Sequence, residues 1–146
     1  MNITFIESLV LGTIGIILTA YYSWHTKKIS HEQMLKQLFK EFNERYDLLN
    51  EHLLKIEREY PNYVDFNKNN NIELRQKVID YFNLCAEEYF WYRHKKRIDK
   101  VIWRSWHAGM NYWYRLDTIK KLWKKETENN GRISYYLTNN DGFFDE

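Results

Sequence analysis

A single proline, Pro61, and five glycines punctuate 146 residues, and no glycine falls between Gly15 and Gly109. Turns and strand ends draw on these residues, so a chain that lacks them is built from few, long elements. That favours helices over a strand-rich sandwich. Hydrophobic residues make up 44% of the chain and aromatic ones 18%, enough to build the core of one modest domain. Cys85 is the one cysteine and has no disulfide partner in its own chain, so it reads as a buried filler.

Residues 3–22, ITFIESLVLGTIGIILTAYY, contain one charged residue, Glu7. As a helix they rise roughly 30 Å, about the thickness of a bilayer's hydrocarbon core. Tyr21, Tyr22 and Trp24 follow, then Lys27 and Lys28, in the order expected of an interfacial belt and its cytoplasmic flank. The stretch lacks the basic start and small-residue cleavage site of a signal peptide. The expectation is a single-pass protein of the bacterial inner (plasma) membrane, N-terminus outside and C-terminal domain cytoplasmic. Ser8, Gly12, Gly15 and Thr19 recur with Thr4 along one arc of roughly 80°, a device for close helix approach in lipid. They imply a homo-oligomer formed in the membrane.

Beyond the span the pattern is helical. Ser30 and Gln33 have the form of a capping box. Leu35, Phe39, Phe42, Tyr46, Leu49, Leu53, Ile56 and Tyr60 then alternate spacings of four and three, a heptad seam that should end before Pro61. A polar loop with Tyr63 and Phe66 as footholds precedes a second helix, from about Asn71 to Arg97, with Leu74, Val78, Tyr81, Cys85, Tyr89 and Tyr92 on its seam. Asp99 is placed to cap a third, carrying Val101, Ile102, Trp106, Met110 and Trp113, and Asp117 a short fourth. The resulting expectation is an all-α fold: one N-terminal transmembrane helix followed by an antiparallel cytosolic bundle of three long helices and a short one. Residues 1–28 form the anchor and juxtamembrane segment, 29–126 the bundle, and 127–146 a flexible C-terminal tail.

Charge is sharply partitioned. Residues 93–125 hold eleven Lys/Arg against two acids, whereas the whole chain is only +2. Such a block is either neutralised within the protein or turned toward an anionic partner. Lys100, Arg104 and His107 share a face of the third helix, with Arg93, Lys96 and Arg97 just upstream and Trp103 among them. A cationic groove with stacking rings is how single-stranded nucleic acids and nucleotides are held. These seven residues are the candidate ligand-binding site. Two alternatives stay open: the tryptophans build the core and the cations merely solvate it, or the cluster rests on anionic lipid headgroups.

Catalytic and metal signatures are lacking. The five histidines form no HExxH and no Glu-x-x-His pair, one cysteine excludes a thiolate zinc site, and no phosphate loop is present. Glu87 and Glu88 point about 100° apart on a helix, which suits ion pairing with the basic block better than acid–base chemistry. The reading is of a non-enzymatic protein with no catalytic residues, no metal and no cofactor. Its expected partners are membrane lipid, its own copies, and an anionic nucleotide or a partner protein.

The blocks FKEFNERYDLLN and YFNLCAEEYFWYRHKKRIDKVIWRSWHAGM, with the trailing YWYR and LW, resemble a bacterial family of unknown function. Its small members carry one span and a helical cytosolic domain. The resemblance implies that same architecture and assigns no site residues. More loosely, the layout is similar to small membrane effectors of prokaryotic antiviral defence, including CRISPR-associated ones gated by cyclic oligoadenylates. That likeness implies a nucleotide-gated membrane effector. The other expectation is a scaffold or accessory subunit of a membrane complex.

Overall fold

The computed structural model describes residues 3–69, 71–138 and 141–145, with side chains from Leu9 onward. Five α-helices follow in order: α1 Ile3–Glu59, α2 Tyr63–Lys68, α3 Ile72–Arg93, α4 Lys100–Tyr114 and α5 Asp117–Glu126, then a 3-10 turn, Gly131–Tyr135. No strand occurs among the described residues. The chain divides into two compact units, Met1–Phe39 and Lys40–Glu146.

The first unit is the N-terminal part of α1. Among the described residues, no helix is long and apolar enough to cross a membrane. This corrects the transmembrane helix expected over 3–22, and with it the single-pass inner-membrane location. A span needs about 20 consecutive apolar residues, roughly 30 Å of helix, and no described stretch of α1 meets that requirement. The side chains of Glu7 and Ser8 lie outside the described residues. The capping box is also unused, since Ser30 and Gln33 sit inside the continuous helix. An N-cap needs a residue out of helical geometry. With no glycine or proline between Gly15 and Pro61 to break the backbone, propagation through Ser30 costs less than a new start.

In the second unit the expected seams are the packed ones. Phe42, Leu49, Leu53 and Ile56 of α1 are buried, as are Leu74, Val78, Tyr81, Cys85 and Tyr89 of α3. Arg45 of α1 meets Glu87, and Tyr81 and Tyr89 of α3 meet Met110 and Trp103 of α4, so α3 and α4 run antiparallel. Pro61 ends the first helix as its ring demands. The loop after it tightens into α2, whose Phe66 is wholly buried. Thr118 fastens α5 to this corner: its hydroxyl donates to the Tyr60 carbonyl at 2.6 Å and its N–H to that of Pro61 at 3.3 Å. Asp117 is the first residue of α5 rather than its cap, and its carboxylate accepts the Tyr63 N–H.

Residues 127–146 are expected as a loose tail, but four of their side chains belong to the core. Tyr135, Leu137, Phe143 and Phe144 are all buried. Phe143 and Phe144 lie 4.9 and 5.1 Å from the ring of Trp123, and Phe144 stacks on Tyr114 at 4.4 Å. Such ring pairs add about 0.5–1.5 kcal/mol each to simple burial. Phe143→Ala should therefore lower unfolding stability by about 3–5 kcal/mol in urea titrations; a change below about 0.5 kcal/mol, the scale of a surface substitution, would exclude the tail from the core.

Candidate functional site

The helix expected to reach Arg97 stops at Arg93, and His94 to Asp99 form the corner between α3 and α4. The Lys95 N–H donates to the Phe90 carbonyl and the Arg97 N–H to that of Trp91, closing the end of α3. Lys96 takes the left-handed conformation this closure requires, at φ 51°, where a side chain is normally disfavoured. Asp99 caps α4 as expected, its Oδ1 accepting the N–H groups of Val101 and Ile102 at 2.8 and 2.9 Å. Those donors are therefore not offered to an outside anion.

The corner is held by rings. Trp103 lies flat on Tyr92, with centroids 4.6 Å apart and planes 4° from parallel, and Tyr89 and His107 pack within 5.7 Å of it. Trp113 and Trp123 are buried, and the Trp113 indole N–H donates to the Tyr46 hydroxyl at 2.9 Å. Trp106 is half-buried, edge-on to Phe42 at 5.5 Å. The tryptophans thus serve mainly as packing. The expected cations behave differently: Arg93, Lys96, Arg97, Lys100 and Arg104 are all exposed. Arg93 lies beside Tyr89. His107 is drawn toward acid instead, its Nε2 3.5 Å from an Asp145 carboxylate oxygen. Of the seven residues, the four at Lys96, Arg97, Lys100 and Arg104 form an outward positive surface; Trp103 and His107 are turned to the packing.

Gly12 and Gly15 open onto free space, and the exposed Thr19 hydroxyl donates to the Gly15 carbonyl within its own helix. Ser8, the remaining member of that stripe, lies outside the residues whose side chains are described.

Glu87 and Glu88 part company. Glu87 pairs not with the basic block but with Arg45 of α1, through two bonds of 2.5 and 2.9 Å. Glu88 is only 8% exposed and has no hydrogen-bond partner among the described residues. It lies at the floor of a cavity of about 210 Å³ between α1, α3 and α4, beside Leu84 and Cys85. Tyr46, Tyr81, Trp106 and Met110 form the walls, and Asn43, Ser105 and Gly109 the exposed mouth. Burial, reinforced by Glu87 and opposed by the charge of Arg45, pushes the Glu88 carboxyl up to about 8. Burial likewise pushes the Cys85 thiol up, which makes it a poor nucleophile. The heptad seam could have flagged Glu88, since Tyr81, Leu84 and Cys85 share its face; neighbouring Glu87 masked it. A wider groove of about 440 Å³ beside Arg45 and Lys77 is open, and its charges are already paired with Glu87 and Asp80. Among the described residues no group of His, Cys, Asp and Glu could hold a metal ion.

No protein-family model, curated protein or solved structure matches this chain.

The proton on Glu88 has a measurable consequence. In the unfolded chain the carboxyl ionises near 4.5, in the fold near 8. Between those values the folded state binds the extra proton, so stability falls as pH rises through this window and levels off above it. The unfolding free energy of the native chain in urea titrations should drop relative to that of Glu88→Gln from pH 5 to 8.5, by roughly 3–5 kcal/mol in total. Parallel pH profiles for the two proteins would show that the carboxyl is ionised in the fold.

Proposed function

We propose that this is a non-enzymatic binding protein whose α3–α4 corner takes a phosphate-bearing polyanion, with single-stranded nucleic acid as the favoured class. One observation carries the reading: none of the eleven Lys/Arg in residues 93–125 makes a salt bridge among the described residues. No described acid of the chain lies within ion-pair distance of the block. Its ring-side contacts are with aromatic faces, Lys95 over Phe90 at 5.3 Å, Arg115 over Tyr112 at 5.8 Å and Lys120 over Tyr114 at 5.4 Å. Such contacts fix a cation without cancelling its charge. Because Tyr92 covers a face of Trp103, the recognition expected is of backbone phosphates rather than bases. The membrane-effector version of this function is not retained, because it depended on the span.

Binding of a labelled oligo(dT) to the full chain should weaken steeply with salt, at a log–log slope near −3 for four phosphate contacts, from about −0.7 per contact on single strands. Lys100→Glu combined with Arg104→Glu should cut affinity at least about tenfold and flatten the slope by about 1.4, while oligo(dA) binds as well as oligo(dT). Unchanged affinity after charge reversal would remove the corner as the site, and anionic vesicles bound in preference to both oligonucleotides would replace the ligand class.

A second reading, of a self-assembling scaffold, is favoured by the first unit. Leu9, Leu11, Ile14, Ile16, Ile17, Leu18, Tyr22 and Trp24 are 48–73% exposed. They surround the helix rather than forming a stripe, and apolar surface on that scale marks an interaction site. The occupant this reading takes is a second copy of the chain. Crosslinking the native protein should trap oligomers that Leu11→Glu with Leu18→Glu lacks, and a native chain trapped only as monomer would remove the reading.

A further inference from the structure

We propose that the cavity above Glu88 is a binding site for a small organic ammonium ion. Three helices line it, its mouth is formed by small or polar residues, and its floor carries a carboxyl group with no hydrogen-bond partner among the described residues. Its oxygens line the cavity and accept from no donor among the described residues, so they are available to a ligand that brings one. Its about 210 Å³ is several times the roughly 30 Å³ of a water molecule, yet below the about 300–1,000 Å³ of a drug-sized site. A nucleotide is too large, and the lining carries no cation to hold an anion.

A neutral apolar molecule would fill the space and leave the carboxyl unmet. A protonated amine satisfies both parts: its N–H groups donate to the Glu88 oxygens, and its charge lies against the faces of Tyr46, Tyr81 and Trp106. The groups facing Glu88 permit this. On α1 these are Arg45, whose guanidinium is engaged by Glu87, and Tyr46, whose hydroxyl already accepts the Trp113 indole N–H. On α3 they are Tyr81, Cys85 and Glu87, the first two kept neutral by burial. The α4 lining, Ser105, Trp106, Gly109 and Met110, bears no titratable group. Bound as an ion pair, Glu88 gives its proton to solvent and the ligand keeps its own.

The test uses benzylammonium chloride on the full chain by isothermal titration calorimetry, with benzyl alcohol and benzoate as size-matched controls. Benzylammonium should bind one to one at pH 8.5 and weaken by about tenfold for each pH unit below 8. At pH 7, comparison of buffers with different ionisation heats should show close to one proton released per ligand. Benzyl alcohol and benzoate should bind at least tenfold more weakly. Glu88→Gln should abolish ammonium binding, and so should Gly109→Leu. Gly109 is exposed and a side chain there meets nothing within 4 Å, so leucine reaches into the mouth without disturbing the fold. Its urea midpoint should match or exceed that of the native chain. Absence of benzylammonium binding at pH 8.5, equal binding of benzyl alcohol, or undiminished binding by a folded Gly109→Leu would each overturn the assignment. None of these results depends on the polyanion surface of the α3–α4 corner.

Discussion

Seven of the nine side chains from Tyr81 to Tyr89 are buried, so α3 is enclosed by its neighbours on nearly every side over this length. A helix normally keeps one polar face in water, and an enclosed one has nowhere to put its polar residues. Arg45 resolves one case by bonding Glu87 at the rim. Glu88 cannot be resolved that way, because Glu87 already occupies the guanidinium. Its carboxyl instead stays protonated over a cavity that Gly109 and Ser105 leave open. The packing of α3 thus produces both the shortest ion pair of the domain and a buried carboxyl with no hydrogen-bond partner among the described residues. It also sets where α4 lies, through Tyr81 on the Met110 carbonyl and Tyr89 on Trp103.

Much of the domain was legible from local chemistry. The seams of α1 and α3, the stop at Pro61 and the Asp99 cap each depend on residues a few positions apart, and each is found where the pattern places it. What was not legible depends on partners distant in sequence. Within the segment expected as a flexible tail, nothing local marks Tyr135 as a core residue, since it is fixed by Trp123 and Phe82. GFFDE reads as a frayed end until Phe143 and Phe144 meet the rings of α3, α4 and α5. The capping box at Ser30 is a local signal that a longer-range one defeated, namely the unbroken helix on both sides. The apolar run at the N-terminus has the local pattern of a span, but the described residues hold no helix long and apolar enough to be one.

The candidate site follows the same division. That Arg93–Arg104 would cluster was evident, since five of its cations lie within eight residues. That Trp103 would be spent on Tyr92 and His107 drawn to Asp145 was not, because both depend on how α3, α4 and the C-terminal segment meet. Composition gave the same weight to rings and cations; packing separates them, with the rings turned in and the charges out.

That separation decides between the two explanations of the basic block. Internal neutralisation needs carboxylates within about 4 Å of the ammonium and guanidinium groups, and among the described residues none lies that close to a Lys or Arg of residues 93–125. Glu41, Glu44, Asp65, Asp80 and Glu87 all pair with cations outside residues 93–125. Asp99 is held by the helix start, Asp117 by the Tyr63 N–H, and Glu57 by the Tyr112 hydroxyl at 2.7 Å. With these acceptors engaged, the field of the block extends into solvent over about a Debye length, 8–10 Å at physiological ionic strength. Glu88 is shielded from that field differently: a proton removes its charge, and so the positive exterior and the acidic cavity coexist without either cancelling the other.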